Sequence, residues 1–370
     1  IWDGRMLLEG MNPYVHLPET FIKQHSFPVN QAIDLYTGMG ALNASHYTNY
    51  PPINQCCFLI AAFFANKSII GSVLVMRVLI IFADIGILYF GKKIATHLNI
   101  PAHAIFWYLL NPFIIIEMTG NLHFEPVMLF FLLWALHALF KNRWGLAAVL
   151  IACSISVKLI PFLVLPLFFQ WFVKREDPLK KGLLKLGVFY TITASITIAL
   201  FLPFYSQTFI QNYSNSIGLW FRNFEFNASI YYVFREIGYL FRGYNEIAII
   251  GKILPVLTIA YIGYSAFFRK STTPKQLITA LLFGLSFYYF TTTTMHPWYL
   301  ASLLLLSIFT NYKFPIVWSL VIFLSYAAYA NDGYREQIVL ISIEYLIVYG
   351  FLIWELFFKK EFNLKSSNLV

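Results

Sequence analysis

Several polar residues of this chain sit where chemistry is expected. Glu117, His123 and Glu125 bracket the short turn Thr119-Gly120-Asn121 between two apolar runs. Two acids beside a histidine can bind sugar hydroxyls or a cation, or act as acid and base. They match no diagnostic metal-ligand spacing, so no metal site is assigned and a divalent cation stands only as the one cofactor such acids could hold. A polar interfacial loop would carry the same residues. Lys158 lies between Val157 and Leu159 inside an apolar stretch. A lysine at the bilayer centre costs roughly 2.5–3.5 kcal/mol on insertion scales. It either snorkels to the surface or meets an anion, for which a phosphate is the natural partner. His296-Pro297-Trp298-Tyr299 joins two apolar runs; its rings suit a membrane interface or a sugar face. Further polar residues are Asp3, Arg5, Glu9, Asn12, Tyr14 and Tyr50 early in the chain, then Arg222, Glu225, Asn227, Asp332 and Arg335. Arg77 and Asp84, seven apart, share a helix face and read as a structural pair or polar glue. Cys56, Cys57 and Cys153 read as apolar fillers, and the sequons at Asn43, Asn66, Asn212 and Asn227 are weak signals.

The elements that must position these residues are membrane helices. The chain is 59% hydrophobic and 12% charged, with mean hydropathy +0.66. A soluble domain carries roughly 25% charged residues. The apolar residues come in runs such as 69–90 and 183–203, near the roughly 20 residues a helix needs to cross a bilayer. In lipid the backbone must bond to itself, so such runs are helices; the strict alternation of a barrel is absent. The pattern predicts an all-α polytopic membrane protein, a single membrane domain over 1–370. It predicts about eleven transmembrane helices at 69–91, 102–119, 124–140, 144–157, 159–173, 183–204, 247–268, 276–294, 297–310, 314–330 and 337–358. With 1–52 outside, more than half of the 26 Lys and Arg residues fall in inner loops. The positive-inside rule favours this threading and accounts for the net charge of +9 without nucleic acid. The first extracytoplasmic loop is then 1–68, ending in a juxtamembrane helix at 53–65, and the second is 205–246. Residues 144–173 are read as a hairpin meeting near Lys158, and 276–310 is split at His296-Pro297. Broken helices at membrane depth line cavities rather than lipid. The threading, built on Lys and Arg alone, also places Glu117, His123, Glu125 and His296 at the outer face.

The opening IWDGRMLLEGMNPYVHLPE resembles the first periplasmic loop of bacterial GT-C membrane glycosyltransferases. The stretches NYPPINQ, RVLIIFADIGILY, LNPFIIIEMTGNLHFEPVMLFFLLWAL, SVKLIPFLVLPLFF, FEFNASIYYVFR and HPWYL follow in the family's order. The likeness covers most of 1–300, and the ordered set is more specific than any one motif. It is nearest to polyprenyl-phosphate-mannose-dependent mannosyltransferases. The resemblance implies a GT-C-like bundle that moves a hexose, as mannose, from a polyprenyl-phosphate donor to a glycan or glycolipid at the extracytoplasmic face of the plasma membrane. An acid of the first loop would act as base and the anomeric carbon would invert. Asp3, with Glu117 and Glu125, is the catalytic set this implies. Arg5, Asn12, Tyr14, Tyr50, His123, Lys158, Arg222, Glu225, Asn227, His296, Trp298 and Tyr299 would hold donor and acceptor. In relatives another acid precedes the WDGR stretch, so the expectation is that a membrane helix and an acid lie upstream of Ile1. A transporter or flippase for lipid-linked sugars would share the intramembrane charges, but should show repeats and midplane sites. A polymerase or ligase would need a larger late outer loop than the one around Asp332, and a scaffold gives buried acids no task.

Overall fold

The computed structural model describes residues 1–176, 178–222, 224–330 and 335–359, the side chains of 219–222 excepted. Among the described residues there are helices and turns but no strand; an isolated bridge joins Phe226 to Thr294. Many of the prolines start helices, while Pro255 stands inside Ile247–Phe268. Pro52, Pro112, Pro126, Pro274, Pro297 and Pro315 all stand in first turns, where the missing N–H costs nothing. Asn99 and Asn142 close helices with φ of 57° and 61°, the left-handed conformation that asparagine tolerates.

Among the described residues four helices are long and apolar enough to cross a membrane: Ile69–His97, Leu179–Phe204, Ile247–Phe268 and Ile338–Phe358. A fifth span exists if Ala102–Leu109 and Pro112–Gly120, bent by 51°, count as one. Length and composition thus support four or five spans where the sequence pattern predicts about eleven. The runs at 124–140, 144–157, 297–310 and 314–330 form the shorter helices Glu125–Phe140, Trp144–Ile155, Pro297–Ile308 and Phe314–Ala330. Twelve residues, as in Trp144–Ile155, reach only about 18 Å of a roughly 30 Å hydrocarbon core. The run 159–173 is three pieces, Ile160–Leu163, Leu165–Phe168 and Phe169–Val173. Pro161 and Pro166 lie within it, and each removes a backbone donor. Apolar run length alone does not separate a spanning helix from a broken one. The chain is nonetheless a multi-pass helical membrane protein.

Two compact units emerge. The first comprises Ile1–Phe90, Met118–Leu163 and Leu184–Trp220. Its opening loop is not irregular; it folds into helices Trp2–Leu8, Pro18–Lys23 and Ala32–Ala44 around Trp2, Met6, Val29, Ala32 and Leu35. The Trp2–Leu8 helix lies directly on Pro52–Ala65. A Cβ added to Gly4 would stand 2.0 Å from the Phe58 carbonyl oxygen, so only glycine permits this approach. Gly4→Ala is expected to cost about 1–3 kcal/mol through overpacking, read as a lower thermal midpoint in detergent; an unchanged midpoint would mean the two helices part freely. Glu125–Phe140 and Trp144–Ile155 form a hairpin around the Lys141-Asn142-Arg143 turn. Ser154 Oγ donates to the Met128 carbonyl at 2.8 Å across it.

The second unit comprises Gly91–Glu117, Val164–Leu183 and Phe221–Val370. Its interior is tied by acids of the last helix. Glu344, fully buried, accepts from Trp318 Nε1 at 2.7 Å and Asn227 Nδ2 at 3.1 Å. Glu355 accepts from the backbone N–H groups of Lys313 and Phe314 at 2.7–3.0 Å and from the Lys359 ammonium at 2.8 Å. It thus satisfies donors at the start of Phe314–Val321 that have no partner within their own helix.

Candidate active site

A cavity of about 430 Å³ opens in the first unit, within the size range of small-ligand sites. Trp2, Phe58, Met76 and Phe124 supply apolar walls, and Asp3, Asp34, Tyr50, His123 and Lys158 the polar groups. Each is placed by a separate device. Asp3 rides on the Trp2–Leu8 helix that Gly4 lets settle onto Pro52–Ala65. One turn into that second helix, Gln55 Nε2 donates to Asp3 Oδ2 at 2.9 Å and to Thr48 Oγ1 at 3.1 Å. The amide therefore fixes one carboxylate oxygen. Tyr50 is held through its backbone, whose carbonyl accepts the Tyr14 hydroxyl at 2.6 Å, while its ring meets Phe58 edge-on at 5.3 Å.

Lys158 follows the break after Trp144–Ile155. The Ser156 carbonyl at that break accepts the backbone N–H of Ile53 at 2.8 Å, so the juxtamembrane helix is docked against it. The Lys158 ammonium forms an ion pair and hydrogen bond with Glu125 Oε1. The side chains are 12% and 1% exposed. Among the described residues Glu125 Oε2 has no hydrogen-bond partner. His123 leaves the turn after Gly120, and Leu122 beside it adopts φ 61°. That turn is clamped by Arg77, which donates to the carbonyls of Thr119 at 2.9 Å and Gly120 at 3.2 Å. Arg77 is thus used on the turn, where a pairing with Asp84 had been the sequence expectation.

The cavity accordingly brings together Asp3, Tyr50, His123 and Lys158, with Glu125 behind the lysine. Other candidates of this unit are occupied in supporting it. Arg5 is fully buried and donates to the Asn30 carbonyl and, at 3.2 Å, to Gln31 Oε1. Asn12 accepts from the Tyr14 N–H at 3.0 Å and donates to the Phe204 carbonyl at 2.9 Å. Tyr14 is fully buried against Phe204, Phe209 and Tyr213. Glu9 is exposed.

Glu117, Glu225, Asn227, His296, Trp298 and Tyr299 belong to the second unit. Glu117 lies in a π-helical turn, Ile115–Gly120, within electrostatic reach of Tyr326 and Tyr329. Glu225 accepts from Arg235 at 2.7 Å and from the Tyr231 hydroxyl at 2.5 Å. His296 stacks on Trp298 at 4.3 Å, and Tyr299 on Tyr289 at 5.8 Å. The side chain of Arg222 and all of Asp332 lie outside the described residues.

Two lining or orienting residues went unread in the sequence. Asp34 is exposed at the cavity. It sits in a run without other charges, and only the fold of the first loop brings it there. Gln55 is uncharged and stands beside Asn54 on a helix that is mostly apolar; its presence in the NYPPINQ stretch was the one available signal. Among the described residues no group of three or more His, Cys, Asp or Glu side chains is placed to hold a metal ion.

Chemically, the arrangement puts an oriented carboxylate and a cation on the lining of one cavity. A carboxylate with one oxygen held by an amide presents the other as a proton acceptor. Lys158 offers charge-assisted donors to an oxyanion. Gln55→Leu should leave Asp3 in place but unaligned. Turnover is expected to fall about tenfold, since misalignment of a catalytic group costs rate without removing it; unaltered turnover would strip Gln55 of its orienting part.

Comparison with known proteins gives a consistent result. A search of the curated proteins finds no match. A family model described as alpha-(1->6)-mannopyranosyltransferase, N-terminal domain, matches residues 1–174. That range contains Asp3, Asp34, Tyr50, Gln55, His123, Glu125 and Lys158, every polar group just described around the cavity. The match, over a little less than half of the chain, supports a membrane glycosyltransferase of the GT-C type with mannose as the sugar transferred.

Proposed function

We propose that the protein transfers mannose from a polyprenyl-phosphate-linked donor to a hydroxyl of a glycan or glycolipid at the extracytoplasmic face of the plasma membrane. The observation that carries this reading is the cavity in which an amide-oriented Asp3 and a membrane-depth Lys158 stand together inside the matched segment. Asp3 takes the proton of the acceptor hydroxyl as its oxygen attacks the anomeric carbon. The bond from that carbon to the phosphate oxygen breaks with inversion. Polyprenyl phosphate leaves with the electron pair, and Lys158 stabilises its growing charge. His123 and Tyr50 contribute hydrogen bonds to sugar hydroxyls. Glu125 accepts from the Lys158 ammonium and sets its direction.

The positive-inside threading supports the assignment of the face. In this reading the short helix pairs, Glu125–Phe140 with Trp144–Ile155 and Pro297–Ile308 with Phe314–Ala330, complete a polytopic bundle of about eleven crossings or part-crossings. Their short reach would leave lateral openings for a lipid-borne donor.

The test is transfer by the purified full chain in nanodiscs, offered radiolabelled polyprenyl-phosphate mannose or a nucleotide-linked mannose with a pool of glycan and glycolipid acceptors. Label should move from the lipid-phosphate donor alone. Equal use of the nucleotide sugar would refute the donor assignment, and no transfer from either would favour transport of lipid-linked sugars.

A further inference from the structure

The second unit carries another cleft of about 430 Å³, between the end of the Ile247–Phe268 helix and the start of Pro274–Thr291. Its charge has one sign. Arg269, Lys270 and Lys275 line it, and no acid does. All three are exposed, and among the described residues none has a carboxylate partner. The Lys275 ammonium donates to Asn311 Oδ1 at 2.7 Å, which fixes it at the rim.

Positive potential extends past the rim. Burial first, then repulsion from Lys359 and Lys275, holds the nearby Lys313 ammonium down to about 8 against the pull of Glu355. The Pro274–Thr291 helix starts at the cleft and adds the positive end of its dipole. Cations gathered without acids repel one another, and an anion relieves them. Beside this rim runs an apolar stripe. Tyr264 and Phe268 stack at 5.4 Å and are 54% and 75% exposed, at the end of a helix long and apolar enough to cross a membrane.

We propose that this cleft binds the phosphate of an anionic phospholipid, with Arg269, Lys270 and Lys275 on the headgroup and the acyl chains along Tyr264 and Phe268. A phosphate is the shared chemistry of lipid and soluble anions. The lipid source is favoured because a charged rim and an exposed aromatic stripe meet at the end of a membrane helix.

The test uses the full chain in phosphatidylcholine nanodiscs doped with phosphatidylglycerol, with bound lipid read by native mass spectrometry. The variant Arg269→Gln/Lys270→Gln/Lys275→Gln is compared with Lys92→Gln/Lys93→Gln, which removes charge from the last turns of the Ile69–His97 helix. Wild type and the Lys92/Lys93 control should retain phosphatidylglycerol, and the triple variant should hold it about tenfold or more weakly. Undiminished binding by the triple variant overturns the site, and so does an equal loss in the control. Because all three side chains are exposed, the variant should fold; Arg269→Gln alone, with a smaller loss expected in the same direction, guards against a misfolded triple variant. In a second arm inorganic phosphate competes with the lipid. Failure to displace supports a lipid site, while displacement at equal concentration assigns the cleft to a soluble anion and overturns the lipid claim.

Discussion

Asp3→Asn is expected to lower kcat by roughly 10²–10⁴-fold, the range that loss of a general base produces. The substitution keeps the shape of the side chain. The asparagine carbonyl oxygen can still accept from Gln55, which donates at 2.9 Å in the native protein. Folding and substrate binding should therefore change little, and the loss should fall on kcat rather than on KM. Single-turnover transfer from a lipid-phosphate mannose donor measures it directly. Asp34 lines the same cavity and is the next candidate. If Asp3→Asn keeps near-native turnover while Asp34→Asn does not, the base has been assigned to the wrong wall.

The second large effect concerns Lys158 and Glu125. Sequence alone suggests a lone lysine that either snorkels to the surface or meets a phosphate. The structure changes that expectation, because the partner of Lys158 is an acid with a side chain only 1% exposed. Lys158→Ala would strand that carboxylate, and breaking a buried pair from one side costs about 3–5 kcal/mol. Glu125→Gln should cost less, since the Lys158 side chain retains 12% exposure and borders the cavity. Lys158→Met/Glu125→Gln removes both charges and should recover much of the stability, but donor affinity should stay low. Thermal midpoints and donor KM, measured over this cycle, separate the two roles. A Lys158→Ala protein as stable as wild type would show that the pair is not formed in the membrane. Restored donor affinity in the double variant would remove Lys158 from phosphate recognition.

Much of the site was readable because charge is scarce in this chain. Asp3, His123, Glu125 and Lys158 stand out against apolar surroundings, and the threading of basic loops gathered them on one face before any fold was known. The supporting residues were harder. Arg5, Asn12 and Tyr14 look like ligand-binding groups in sequence, yet they donate to backbone carbonyls and a side-chain amide elsewhere in the chain, such as the Phe204 carbonyl 192 positions from Asn12. Only tertiary packing reveals such partners. Glu117 and His123 look like neighbours in sequence, but Glu117 falls in a π-helical turn and belongs to the other compact unit. Helix starts followed from proline positions, whereas the span count did not. Hydropathy registers that a run is apolar and not whether prolines such as Pro161 and Pro166 have cut it into pieces.

The capping of Phe314–Val321 by Glu355 also bears on the order of assembly. A chain is made and inserted from its N-terminus. The backbone donors of Lys313 and Phe314 therefore wait, unpaired, for an acid some forty residues further on. Until the final helix has entered the bilayer, the preceding segment lacks its cap. The Ile338–Phe358 helix is thus a clasp on an element inserted before it, and synthesis interrupted ahead of Glu355 would leave the start of Phe314–Val321 open to quality-control proteases.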